Sequence, residues 1–292
     1  MSTVLSASPS ISQASGVEAE LNYLAPGDAR PVNYTFEPPA GTPWSSGTPD
    51  PRRVRIHNAR PLAEAGEISL HRNGFQLVSH RSALNDFSDD SLIRLVYRPE
   101  AEALLRDITG AEKVVVCDHT LRDSASGSRA NTSLREPVRR VHNDQTFVSG
   151  PRRVRDHLDA EEAEEAERRL QHRFAIVNLW RPLGVVEQFP LALCDARSIA
   201  ADDLVPTDLV YRDKTGETYS FLANPQHRWY YFPRLRPDEV LLLKIYDSLE
   251  DGTARLTAHT AFEDPNSPSN AAARRSIELR ALLFWAPDHD TH

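Results

Sequence analysis

His142, Asn143 and Asp144 stand together in the run Val138 to Val148, which reads as a strand. On a strand, residues two apart share a face. His142 and Asp144 would then present an imidazole and a carboxylate side by side. A second imidazole from a distant strand would complete a two-histidine, one-carboxylate facial triad. That donor set suits iron(II) and leaves coordination positions open for a co-substrate and O2, whereas a four-ligand structural zinc site keeps none. The H-x-D tripeptide is short, and its plain alternative is a surface histidine beside an aspartate, so the third ligand carries weight. His259, in the strand-like run Ala254 to Phe262, is the expected one, with His119 and His227 as rivals. His289 and His292 lie at the chain end, His157 and His172 on a polar helix, and His57, His71 and His80 ahead of the motif.

A 2-oxo acid chelating such a metal needs its far carboxylate held by a fixed cation, and the arginine fork binds a carboxylate through two parallel hydrogen bonds. On a strand through Arg274-Arg275-Ser276-Ile277-Glu278-Leu279-Arg280, residues Arg274, Ser276, Glu278 and Arg280 share a face. Arg274 with Ser276 is the expected clamp, with Arg280 or Arg275 as substitutes; the plain alternative is a salt-bridged surface strand. Arg181, closing a strand at Pro182, is a further candidate for a substrate or co-substrate carboxylate, or a partner for Glu187 or Asp195. Tyr246 and Thr146 could donate to a ligand oxygen. Lys244, set among Leu and Ile, needs a buried partner, for which Asp247 is at hand; Asn178 is a similar buried polar residue. The aromatics of His227-Arg228-Trp229-Tyr230-Tyr231 fit core packing better than a pocket mouth.

These residues need strands to position them. From Phe174 onward, FAIVNLW, PLALC, DLVYR, YSFL, WYYF, VLLLKIYDS, ARLTAHTAF and SIELRALLFW are short apolar or alternating runs separated by turn residues. Such a series predicts a sandwich or barrel, and Lys113 to Val116 predicts a further buried strand. Helices are expected over 90–109 and 153–173, and a two-residue hairpin at Asn73-Gly74. Residues 20–60 read as an extended arm and 122–138 as a mobile loop placed to act as a lid. The expected fold is α+β, mainly β: a double-stranded β-helix, or jelly roll, with flanking helices and an extended N-terminal arm. Residues 1–18 form a disordered tail and 19–288 a single domain, its jelly-roll core at roughly 110–286.

The 292 residues carry a formal charge of −8, and the clusters around Arg52 and Arg152 lie beside acidic segments. Nucleic acid is therefore not an expected partner. No run approaches the ~20 apolar residues of a membrane span, and the N-terminus lacks the pattern of a secretory signal. Two cysteines, Cys117 and Cys194, outside any C-x-x-C pair, suit a reducing cytoplasm. The spare arginines suggest a small-molecule substrate that is carboxylated or otherwise anionic.

Longer stretches carry a resemblance. His71-Arg72-Asn73-Gly74-Phe75-Gln76, Asp118-His119-Thr120-Leu121-Arg122, Val141-His142-Asn143-Asp144 and Asn178-Leu179-Trp180-Arg181-Pro182-Leu183 are four of them. Pro190 to Asp195, His227 to Pro233, Lys244 to Ser248, His259 to Phe262 and Arg275 to Arg280 are others. Over roughly residues 50–285 the chain resembles the fungal and bacterial oxidoreductases grouped with the cephamycin methoxylation protein and the gibberellin desaturase-like hydroxylases. Arg72 stands where some relatives have His. The resemblance implies an iron(II), 2-oxoglutarate-dependent and O2-dependent oxygenase of secondary metabolism, such as antibiotic biosynthesis, acting by hydroxylation or desaturation. It also places the iron ligands on His142, Asp144 and His259. A cupin-type dioxygenase needing no 2-oxo acid, or a jelly-roll binding module without catalysis, are the alternatives.

Overall fold

The alternating and apolar runs of the second half all form strands in the computed structural model, which describes residues 16–27, 29–125, 134–158 and 163–286. Residues 1–15 of the expected tail and 126–133 of the expected lid fall outside the described residues, while Val17 and Glu18 of the expected tail already belong to the first strand. In chain order the strands are β1 (Val17–Leu24), β2 (Val32–Tyr34), β3 (Pro49–Asn58), β4 (Phe75–Ser79), β5 (Lys113–Asp123), β6 (Leu134–Arg135), β7 (His142–Asn143), β8 (Phe174–Pro182), β9 (Leu191–Cys194), β10 (Leu204–Val210), β11 (Thr215–Phe221), β12 (Trp229–Tyr231), β13 (Glu239–Asp247), β14 (His259–Ala261) and β15 (Arg275–Phe284). Among the described residues they build two sheets. The larger has nine strands in the order β1-β3-β12-β9-β14-β7-β11-β10-β2, the smaller six in the order β4-β13-β8-β15-β5-β6. The larger sheet curls, so that β1 near one edge bridges to Arg140 and Leu222.

Alternation of side chains sorts the core into layers. Phe174, Ile176, Trp180, Leu241, Leu243 and Leu282 of the smaller sheet meet Leu191, Leu193 and Ala261 of the larger. On its other face the smaller sheet sets Ala175, Val177, Leu179, Leu242, Ile277 and Leu279 against Ile93, Tyr97, Ala101 and Leu105 of a helical layer. That layer runs from Asp90–Leu92 through a π-type segment Ile93–Tyr97 into helix α2 (Arg98–Thr109), which ends on Gly110 at φ +68°. Helix α1 (Arg60–Glu64) precedes it. A third cluster, including Val17, Leu21, Trp229, Tyr231 and Phe262, fills the curl of the larger sheet.

Four expected elements differ. Of the strand expected over Val138 to Val148, only β7 is strand, and the arm expected over 20–60 supplies β1, β2 and β3 of the larger sheet. The helix expected over 153–173 starts at Ser149 as α3 (Ser149–His157) and stops where Leu158 turns extended, at φ −92° and ψ 111°. Leu158 is buried with the inter-sheet residues, so core packing overrides helix propensity there; α4 (Ala163–Leu170) follows. At Asn73-Gly74 the turn forms, with Gly74 at φ +81°, but no hairpin does. The Asn73 amide bonds back to Ser69 O at 2.9 Å, coiling the residues before it, and β4 pairs with distant β13 instead.

Candidate metal centre

Two hydrogen-bonded neighbours of the larger sheet bring the histidines together. His259 on β14 lies directly opposite His142 on β7, and their ring centroids are 4.3 Å apart. Asp144 follows β7 by one residue and keeps the expected parity. Asn143 between them points the other way and is fully buried; its amide donates to Ile245 O at 2.9 Å and Gln145 O at 2.6 Å. It pins the H-x-D segment to β13. Sequence reasoning missed this residue, although the parity that brings His142 and Asp144 to one face sends Asn143 to the other.

One donor atom each from His142, Asp144 and His259 lies within 4.8 Å of the other two. His142 Nδ1 donates to Arg140 O at 2.7 Å. Because a carbonyl only accepts, the proton sits on Nδ1 and Nε2 keeps its lone pair for a metal. Burial, the His259 ring and Arg140 push His142 down to about 3, against the pull of Asp144, so it is neutral at pH 7. Burial would raise Asp144, but Arg280 and the two histidines outweigh it and hold the carboxyl well below the usual range. Two facing imidazoles and an ionised carboxylate match a facial-triad metal.

The rival histidines are engaged elsewhere. His119 pairs with Asp90 at 3.0 Å. His227 sits between Tyr23 Oη and Asp203, both at 3.0 Å.

The smaller sheet supplies the surroundings. A β-bulge in β5 at Cys117 changes which side chains face inward. From there Asp118, Thr120 and Arg122 face the larger sheet beside Arg280, Glu278 and Ser276 of β15, which in turn lie beside Asn178, Trp180 and Pro182 of β8. Three rows cross the sheet: Asn178-Arg280-Asp118, Trp180-Glu278-Thr120 and Pro182-Ser276-Arg122. The sequence reading missed Asp118, Thr120 and Arg122, because a bulge leaves no mark in the alternation of so short a run.

Arg274 and Ser276 share the inward face. Arg274 is 2% exposed, with its guanidinium 5.5 Å from the Trp180 ring centroid and Nη1 donating to Phe189 O at 2.6 Å. Arg274 Nε and Ser276 Oγ are both buried without a partner. Burial and nearby Arg122 push Arg274 down to about 9. A guanidinium stays charged in proteins, so that depression marks a buried cation short of an anion. A carboxylate there would satisfy the charge and both orphaned polar atoms.

The other candidates are placed differently. Arg280 contacts Asp118, Glu278 (3.1 Å), Thr120 (3.3 Å) and Asp144 (3.4 Å). Arg275 is exposed at the start of β15, 4.0 Å from Asp123. Arg181 faces the helical layer, opposite in parity to Asn178 and Trp180. Its guanidinium donates to Tyr97 Oη (2.9 Å), His80 O (2.9 Å), Pro237 O (2.5 Å) and His80 Nδ1 (2.5 Å). Tyr246 stacks on Phe174 at 4.8 Å and meets Phe147 edge-on at 6.3 Å. Thr146 bonds Glu217 and caps the turn into α3, accepting from Ser149 N at 3.0 Å. Lys244 pairs with Asp247 at 2.5 Å, as expected.

A two-sheet β fold with this donor set defines a mononuclear non-haem metal oxygenase. Comparison with known proteins agrees. Residues 21–284 match the family described as oxidoreductase/YMDC permease-like domain, and the chain belongs to that family. It is 34% identical over 268 residues to hydroxylase/desaturase efuI of Hormonema carpetanum, covering 82% of this chain and 88% of that protein. It is 31% identical over 278 residues to alpha-ketoglutarate-dependent dioxygenase phiK of Fungal sp. (strain ATCC 74256), covering 92% and 96%. The solved structure of iron and alpha-ketoglutarate-dependent endoperoxidase NvfI superposes with a TM-score of 0.82 at 30% identity, covering 93% of this chain and 99% of that one.

Proposed function

We propose that this protein is an iron(II)/2-oxoglutarate-dependent dioxygenase of secondary metabolism, hydroxylating or desaturating a small molecule at an unactivated C–H bond. The observation that carries the reading is the convergence of His142, Asp144 and His259 within 4.8 Å. In this reading those residues hold iron(II), and Arg274 with Ser276 holds the far carboxylate of 2-oxoglutarate. With O2, the bound metal and co-substrate supply the oxidising chemistry, yielding succinate and CO2. The chain's own part is to bind, orient and exclude water. Buried His259 and Trp180 shield part of the site from water, and the Arg140 carbonyl fixes the His142 tautomer.

Two imidazoles with one carboxylate favour this reading over a cupin-type site richer in histidine. The strands fit a double-stranded β-helix core at roughly 110–286 within one domain spanning 19–288. The narrower kinship with the cephamycin methoxylation protein rests on short motifs alone. A carboxylated substrate is supported only by Arg122, which lies beside Ser276 and donates to Glu136 O at 3.0 Å. A cytoplasmic setting is supported by the unpaired Cys117 and Cys194.

The test is succinate formation by the purified protein with iron(II), 2-oxoglutarate and O2. A charge-assisted clamp is worth about 1.5–3 kcal/mol, so Arg274→Ala should raise the KM for 2-oxoglutarate by about 10- to 100-fold. An unchanged KM would remove Arg274 from the clamp.

A further inference from the structure

Asp144 does not offer both carboxylate oxygens to the metal position. Oδ1 faces the histidines, 3.6 Å from His142 Nε2. Oδ2 takes a hydrogen bond from Asn178 Nδ2 at 2.8 Å and a longer one from Arg280 Nε at 3.4 Å. An ionised carboxylate only accepts, so the Asn178 amide must present its NH2 to Asp144; its carbonyl oxygen is buried without a partner.

We propose that Asn178 and Arg280 are positioning residues for Asp144, holding Oδ2 so that Oδ1 alone is presented to the metal. The inference rests on the metal-site reading above. Asn178, Arg280 and Asp118 form one row across β8, β15 and β5, directly beneath the H-x-D segment. Arg280 divides its fork among three carboxylates: Nη1 to Asp118, Nη2 to Glu278 and Nε to Asp144. Arg153 also pairs with Asp118, so the fork is held from the far side as well. A guanidinium so occupied is a rigid support and has little left for a co-substrate. With both donors on Oδ2, rotation of the carboxylate is restrained and Oδ1 would be the oxygen left for a metal. Such outer partners orient a ligand before the metal arrives, and removing one weakens metal affinity by about 10- to 100-fold.

The experiment is anaerobic titration of the metal-free full chain with iron(II) alone, with cobalt(II) absorption as a second signal. Asn178→Ala is expected to raise the iron(II) Kd by about 10- to 100-fold and alter the cobalt(II) spectrum, while far-UV circular dichroism stays that of wild type. Arg280→Lys keeps a charge between Asp118 and Glu278 but loses the fork, and is expected to raise the iron(II) Kd as well. If both folded variants bind iron(II) like wild type, the inference is overturned. If Arg280→Lys instead leaves iron(II) affinity intact and weakens only 2-oxoglutarate binding, Arg280 is a co-substrate anchor and the inference fails for it. Failure of wild type to bind iron(II) would overturn the metal-site reading itself.

Discussion

His142→Ala and His259→Ala each remove one of two imidazoles that face each other across β7 and β14. Each should abolish succinate production with the fold retained; normal turnover by either variant would break the triad. Arg181 gives the opposite expectation. It is buried on the far face of the smaller sheet and satisfies four acceptors. Arg181→Ala would strand those groups and is expected to cost about 3 kcal/mol or more in urea unfolding, without changing the KM for 2-oxoglutarate. The H-x-D pair was legible because it is local. The role of Arg181 was not, since only the parity fixed by Asn178 and Trp180, which face the other way, shows that Arg181 belongs to the helical layer.

Among elements, β13 is tied to α1 by an ion pair that makes stability depend on pH. Burial would raise Glu239, but the Arg60 guanidinium and the Arg236 backbone N–H outweigh it and hold the carboxyl below its ordinary 4.5. Arg60 bonds both carboxylate oxygens, at 2.7 and 2.9 Å. Because the folded-state value is depressed, this stabilisation is fully present above about 4.5 and is lost as pH falls through the lower folded value. Arg60→Ala should therefore cost about 3 kcal/mol at neutral pH, with the gap to wild type narrowing in urea titrations below pH 4.5. The α3 junction is equally specific. A Cβ on Gly150 would lie 2.4 Å from the Tyr246 ring, so Gly150→Ala should destabilise the fold by about 1–3 kcal/mol through overpacking; an unchanged melting temperature would contradict that contact. Strands from Phe174 onward were legible because apolar runs and turn residues are local signals. The Asn73-Gly74 hairpin was misread because the turn is local but the partner of β4 is not: its ladder is with β13, Ser79 pairing Glu239 and Phe75 pairing Leu243.

At the scale of the whole molecule, two sheets each contribute one half of the candidate site. The curled sheet carries or adjoins the three proposed ligands, and the smaller one carries the rows that include Arg280 and Arg122. Composition and alternation predicted a β-rich body and gave no reason to expect a nucleic-acid partner. They could not show which strands lie opposite one another, because that is set by long-range pairing and by the β5 bulge. Among the described residues, no helix is long and apolar enough to cross a membrane. The most direct test of the account is anaerobic addition of iron(II) and then 2-oxoglutarate to the purified chain, watched in the visible region. The account predicts one iron bound per chain and a weak charge-transfer band that develops only when 2-oxoglutarate is added. The same band should be missing in His142→Ala. Iron binding without the band would contradict the 2-oxoglutarate dependence, and no iron binding would contradict the metal centre itself.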